Sequence, residues 1–202
     1  MQRTETKFIL NQKNIDIFFK QNNLYKTFPK RKIFSIYFDT DNFKDFYDSE
    51  EGTVPRKKIR FRTYDMIEIN KNKFIEGQIE IKNTLPETRK KKIIKVKNKL
   101  QNIYSLIGDF FNKPRHPKII VSYERCYFIN NDNDRFTLDQ NIKYQLYNNS
   151  HKFNPLYNEE NNILEFKSEK TIYNDNTTFD FLEAYKVRFS KYCEGIKKVY
   201  SL

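Results

Sequence analysis

The chain has no tryptophan, two cysteines, two histidines and four glycines in 202 residues. Cys126 and Cys193 make no disulfide framework, so a reduced, cytoplasmic setting is expected. His116 and His151 lie among Pro and Asn with no second His or Cys at ligand spacing. Both read as surface loop residues, and no zinc site is expected. Cys126 reads as a core filler, and no Cys–His pair suggests a thiol nucleophile. No apolar run approaches the length of a membrane-spanning helix, and the opening Met-Gln-Arg-Thr-Glu-Thr-Lys lacks the apolar core of a signal peptide. No Gly/Ser linker and no internal repeat divides the chain, so a single domain over residues 1–202 is expected.

What is present is positive charge and aromatic mass. The net charge is +12, and aromatics make up 16% of the residues, all Phe and Tyr. An excess of this size implies a polyanionic partner: nucleic acid, an anionic membrane or a phosphorylated small molecule. Part of it is compositional, because the chain is rich in Asn, Lys and Ile.

Local patterning predicts an antiparallel sheet with helices around it. Strands are expected near 3–10, 32–39, 57–67, 73–82, 89–96, 119–129, 135–147 and 163–170, with a hairpin turn at Asn70-Lys71-Asn72. Helices are expected after Asn11, over about 98–111 and over about 179–200, and the stretch from Asp39 to Pro55 reads as polar connection.

Side chains in a strand alternate between faces. Lys58, Arg60, Arg62 and Tyr64 therefore share one face, opposite Ile59 and Phe61. Arg3, Glu5 and Lys7 share another, as do Glu76, Gln78, Glu80 and Lys82. So do Arg135, Thr137 and Asp139, then Glu165, Lys167 and Glu169; Arg125 lies with Tyr123 and Tyr127. The opposite faces are large and apolar. If helices cover those, the charged faces look inward, and a closed sheet with a polar lumen results. Inward charges must be paired or occupied by ligand. Many cations and a few carboxylates then fit a triphosphate with a divalent metal.

The chain resembles the polyphosphate polymerase domain of the vacuolar transporter chaperone (VTC) complex, a branch of the triphosphate tunnel metalloenzymes. The residues that carry the resemblance run in order: Lys7-Phe8, Ser35-Ile-Tyr-Phe-Asp-Thr40, Arg60-Phe-Arg62-Thr-Tyr64, Ile79-Glu-Ile-Lys82, Tyr123-Glu-Arg125, Arg135-Phe-Thr-Leu-Asp139, Leu164-Glu-Phe-Lys167 and Ser190-Lys191-Tyr192. It implies an α+β fold, a closed eight-stranded antiparallel tunnel with flanking helices. The implied reaction moves the terminal phosphate of ATP onto a growing polyphosphate chain with Mn²⁺ or Mg²⁺.

Position by position, the resemblance makes Lys7, Arg60, Arg62, Lys82, Arg125, Arg135 and Lys191 phosphate ligands and places Ser190 in the closing motif. Lys58 and Lys167 lie on the same charged faces. Glu165 matches the metal-binding glutamate; Glu5 and Glu80 either join it or balance charge. Arg89-Lys90-Lys91-Lys92 meets phosphate at a tunnel mouth or is plain surface, and Asp39 and Asp139 read as turn caps. Tunnel hydrolases commonly open with Glu-x-Glu-x-Lys, whereas this chain has Arg3-Thr-Glu5-Thr-Lys7, which favours the polymerase branch. Hydrolysis of triphosphate or nucleoside triphosphates is the alternative, and a non-catalytic polyphosphate- or nucleic-acid-binding module ranks last. No specific nucleic acid is expected as a partner, while a membrane-protein partner for product export stays open.

Overall fold

Alternation of apolar and charged residues gives each strand one face for a core and one for charge. The structure, a computed structural model, describes residues 4–64, 74–109, 111, 114–148, 155–168 and 181–202. Its elements in chain order are β1 (Thr4–Leu10), α1 (Gln12–Gln21), β2 (Tyr25–Asp39), α2 (Lys44–Glu51), β3 (Arg56–Thr63), β4 (Phe74–Thr84) and β5 (Arg89–Lys99). Then come α3 (Leu100–Asp109), β6 (His116–Ile129), β7 (Arg135–Leu146), β8 (Leu156–Asn158), β9 (Asn162–Ser168) and α4 (Lys191–Tyr200). The fold is α+β, with an antiparallel sheet whose hydrogen-bonded order is β1-β9-β7-β6-β2-β3-β4-β5, and with β8 beside β7.

Eight strands thus lie on the main path, as expected, and the three-residue β8 is an addition. The order ends at β1 and β5. The outer edge of β1 is met by residues 185–187: Ile9 N–H donates to the Tyr185 carbonyl at 3.0 Å, and Val187 N–H donates to the Lys7 carbonyl at 2.9 Å. Among the described residues, closure of the sheet into a ring is not part of the pairing.

The chain gathers into two compact units, one comprising residues 1–32, 123–142 and 158–189, the other residues 33–122, 143–157 and 190–202. In the first, Phe8, Leu10, Phe136, Leu138, Leu164 and Phe166 point to one side of β1, β7 and β9, where Ile15 and Phe18 of α1 cover them. The Phe18 and Phe136 rings lie 5.7 Å apart. Asn11 starts α1 by accepting a hydrogen bond from Asn14 N–H at 2.8 Å, which satisfies one of the unpaired donors of the first turn.

In the second unit, Ile36, Phe38, Ile59, Phe61, Ile79 and Ile81 form the apolar side of β2, β3 and β4. Leu100, Ile103 and Ile107 of α3 join that core. A helix therefore covers the apolar face, and Lys58, Arg60 and Arg62 are left on the other.

Several local readings change. Strand β2 begins at Tyr25 rather than near 32, and residues 25–32 are all exposed, so no apolar alternation announced them. The stretch after Asp39 contains α2, whose N-cap, Phe43, has φ 54° and no side-chain cap. The signal is distributed: the Asp39 carboxylate accepts from the backbone N–H groups of Asp45 and Phe46, both at 2.9 Å. Asp39 is thus a cap, as expected, but of a helix. The helical region expected over 179–200 is interrupted: residues 181–183 are helical, residues 185–187 run beside β1, and Ser190 then caps the helix Lys191–Tyr200. His116 opens β6 instead of lying in a loop, half-exposed near Asp41. Arg3, the Asn70–Asn72 turn, His151 and Glu169 lie outside the described residues.

Gly77 of β4 sits where a side chain has no room. A Cβ there would press on the Arg62 carbonyl oxygen and lie 2.6 Å from the Phe61 ring. Gly77→Ala is expected to lower stability by about 1–3 kcal/mol through overpacking. Denaturant unfolding of the two proteins checks this.

Candidate functional site

The registers of β2, β3, β4 and β5 turn separate charged faces into rows. Lys58 opposes Lys82, which opposes Lys91. The next row reads Tyr37, Arg60, Glu80, Ile93, and the one after it Ser35, Arg62, Gln78, Lys95. Like charges directly across strands destabilise a sheet. These three rows nevertheless gather Lys58, Lys82, Lys91, Arg60, Arg62 and Lys95 around the single carboxylate of Glu80.

Glu80 is buried, with 5% of its side chain exposed, and cations grip both of its oxygens. Arg60 Nε and Nη2 donate to Oε2 at 3.1 and 2.7 Å, and Lys91 Nζ sits 3.0 Å from the same oxygen. Arg62 Nη1 lies 3.1 Å from Oε1. Burial would raise the Glu80 carboxyl, but Arg60 and Arg62 outweigh it and hold its pKa at about 2.

The remaining side of Arg60 is held by Tyr37, whose hydroxyl accepts from Nη1 at 3.0 Å. Tyr37 stacks on Tyr192 of α4 with ring centroids 5.2 Å apart and 22° between planes, and the Tyr192 hydroxyl donates to Asp39. The start of α4 reaches the same face. Ser190 Oγ accepts from Lys58 Nζ at 2.9 Å and caps Cys193 N–H at 3.4 Å. Burial pushes the Tyr37 phenol up, yet Arg60, Arg62 and Lys191 together bring it below its usual value.

The charged face of the other unit is built differently, with signs alternating. Lys7 opposes Glu165, which opposes Thr137; Glu5 opposes Lys167, which opposes Arg135. Glu165 is buried and contacts Lys167 Nζ at 2.6 Å. Burial would raise its carboxyl, but Lys7, Lys167 and Arg125 hold it below its ordinary value. Lys7 Nζ donates to the Phe189 carbonyl at 3.0 Å and lies 3.5 Å from Glu5. Arg125 clasps Asp139 through Nε and Nη2, at 2.5 and 2.6 Å, and its guanidinium lies 5.4 Å from the Tyr123 ring centre. Asp139 is therefore no turn cap: it is a fully buried partner inside β7.

The expected residues thus fall into two groups. Lys58, Arg60, Arg62, Glu80, Lys82, Ser190 and Lys191 belong to the second unit; Glu5, Lys7, Arg125, Arg135, Glu165 and Lys167 belong to the first. Sequence reasoning missed Tyr37, and it did not separate Lys91 from its lysine run. Both depend on register, which no local pattern reports.

No group of three or more His, Cys, Asp or Glu able to hold a metal occurs among the described residues. Glu80 does not fit the ligand role, because three cations occupy its oxygens. Glu165 has one oxygen on Lys167 and is the buried carboxylate whose chemistry is compatible with a divalent cation. Its anionic state is secured by its neighbours. Glu5, exposed and on the same face, is compatible with a supporting place.

Solved structures share the fold of this chain. A candidate adenylate cyclase from Vibrio parahaemolyticus superposes with TM-score 0.52 at 15% identity, covering 99% of this chain and 98% of its own. A protein from Pyrococcus horikoshii OT3 gives TM-score 0.55 at 11% identity, with 98% of both chains covered. An adenylyl cyclase candidate from Hippeastrum with a dominant triphosphatase activity gives 0.53 at 11%, covering 98% and 96%. At these identities the likeness is one of fold alone. No curated protein sequence matches. The model of the VTC domain matches residues 2–200, and the chain belongs to that family.

Two tests address the ion pairs. Glu80 has a native pKa below its ordinary 4.5, so its contribution to stability is complete above pH 4.5 and fades as pH falls toward about 2. The Tm advantage of wild type over Glu80→Gln is expected to shrink across that interval, as thermal unfolding at stepped pH will show. Arg125→Ala leaves Asp139 charged and buried, and a loss of about 3–5 kcal/mol is expected in chemical denaturation. Arg125→Ala/Asp139→Ala should recover part of it.

Proposed function

We propose that this protein is a metal-dependent polyphosphate polymerase, which transfers the terminal phosphate of ATP to a growing polyphosphate chain. The observation that carries the reading is the three-row cation field around Glu80, in a chain that the VTC domain covers from residue 2 to residue 200. Six cations facing one carboxylate favour a ligand with many regularly spaced negative charges, and a phosphate chain has that form. The proposal includes closure of the main eight-strand path into the tunnel expected of the family.

In the reaction, a terminal oxygen of the acceptor chain attacks the γ-phosphorus of ATP. The bond from that phosphorus to the β–γ bridging oxygen breaks, and ADP leaves with the electron pair. No protein nucleophile is required; the work is alignment and charge neutralisation. Arg60 and Arg62 present planar forks to non-bridging oxygens, and Lys58, Lys82 and Lys191 add point charges. Lys7, Arg125, Arg135 and Lys167 are assigned the same task, with Asp139 fixing the Arg125 fork. Glu165, with Glu5 beside it, would hold a divalent metal, which would supply charge neutralisation to the phosphates.

Among the described residues no helix is long and apolar enough to cross a membrane. The proposed setting is the cytoplasm, alone or with a membrane partner that exports the product.

The deciding assay incubates the purified protein with ATP and Mn²⁺ and scores polyphosphate, ADP and free phosphate together. Polymer formed with ADP is expected. Free phosphate without polymer would assign the same face to triphosphate hydrolysis, and no product at all would overturn the enzymatic reading. Arg60→Ala/Arg62→Ala is expected to slow turnover on the order of 100-fold or more, while Glu165→Gln should raise the Mn²⁺ concentration needed for half-maximal rate.

A further inference from the structure

We infer that Tyr37 is a positioning residue for the Arg60 guanidinium, and that α4 acts on the phosphate-binding face by holding Tyr37 in place. The inference rests on the reading of Arg60 as a phosphate ligand and goes beyond it to a residue that need not touch phosphate. Arginine gains its advantage over lysine from a planar fork, and that advantage depends on the plane being fixed before the anion arrives. At least three of the five Arg60 N–H groups are committed to buried protein atoms: two to Glu80 Oε2 and one to the Tyr37 hydroxyl. Glu80 fixes one edge of the guanidinium. Tyr37 fixes the opposite nitrogen, and so sets the rotation that Glu80 alone leaves open.

Tyr37 suits this task because it is itself over-determined. It lies directly across from Arg60 in the β2–β3 register, is 5% exposed, and has its ring against Tyr192. Tyr192 is tied by its hydroxyl to Asp39, which also caps α2 through the N–H groups of Asp45 and Phe46. The chain of contacts runs Asp39, Tyr192, Tyr37, Arg60, Glu80, all within one unit. A simple aromatic filler would leave the Arg60 Nη1 donor without its Tyr37 acceptor. The hydroxyl, not the ring, is the functional part.

The test is Tyr37→Phe, which keeps the ring and its stacking and removes one oxygen. Inorganic triphosphate binding to the full chain is measured by calorimetry at low ionic strength, where the remaining cations bind most strongly. Wild type is expected to bind, and Tyr37→Phe should weaken binding about tenfold while the protein stays folded. The same substitution should weaken binding by a similar factor in a Lys82→Ala background, and by less than about twofold in an Arg60→Ala background. Two results would overturn the inference: an unchanged affinity in Tyr37→Phe, or an equal loss with and without Arg60, which would make Tyr37 a packing residue. Failure of wild type to bind triphosphate would instead remove the phosphate-ligand reading on which the inference stands.

Discussion

Repulsion among cations is the constraint around which the charged face of the second unit is organised. Lys58, Lys82 and Lys91 stand in one cross-strand row, with Arg60, Arg62 and Lys95 in the two rows beside it. Such a surface is unfavourable unless anions answer it, and Glu80 supplies the internal answer. It draws Arg60, Arg62 and Lys91 to one carboxylate and leaves a net excess of positive charge for a ligand. Remove the carboxylate and the forks lose their common anchor; add more carboxylates and the face would lose its excess of positive charge.

The two charged faces use different electrostatic strategies. Around Glu80 the cations outnumber the acid. On β1, β9 and β7 the signs alternate, Lys7 against Glu165 and Glu5 against Lys167, and Arg125 is spent in part on Asp139. The first arrangement suits capture of phosphate oxygens. The second keeps Glu165 anionic in a buried setting, the condition a carboxylate must meet to hold a divalent cation.

Helices contribute at a distance. Helix α3 covers the apolar side of β2–β4, which leaves Arg60 and Arg62 on the other side. Helix α4 brings Ser190 to Lys58 and Tyr192 to Tyr37. Helix α2 is hung from Asp39, a strand residue that also receives the Tyr192 hydroxyl. These are tertiary contacts between residues far apart in sequence, and they set the geometry of side chains that a strand pattern can only assign to a face.

Much was legible from local order. The period of two in Lys58-Ile59-Arg60-Phe61-Arg62 dictates which side chains are buried, because a strand has no other way to place them, and the observed burial follows it. The apolar spacing of Ile15 and Phe18 behind Asn11 likewise fixes α1. Where alternation is missing, as in the wholly exposed residues 25–32, or where a cap comes from outside the helix, as Asp39 does for α2, the local signal vanishes. Register was never legible: nothing in Tyr37 announces that it will face Arg60, or in Asp139 that Arg125 will clasp it. Sequence alone determined the charge, the alternating faces and the strand-rich class, since these follow from each segment's own period. Tertiary structure decided which cations meet which carboxylate, because hydrogen-bond register and helix docking join segments that local chemistry leaves independent.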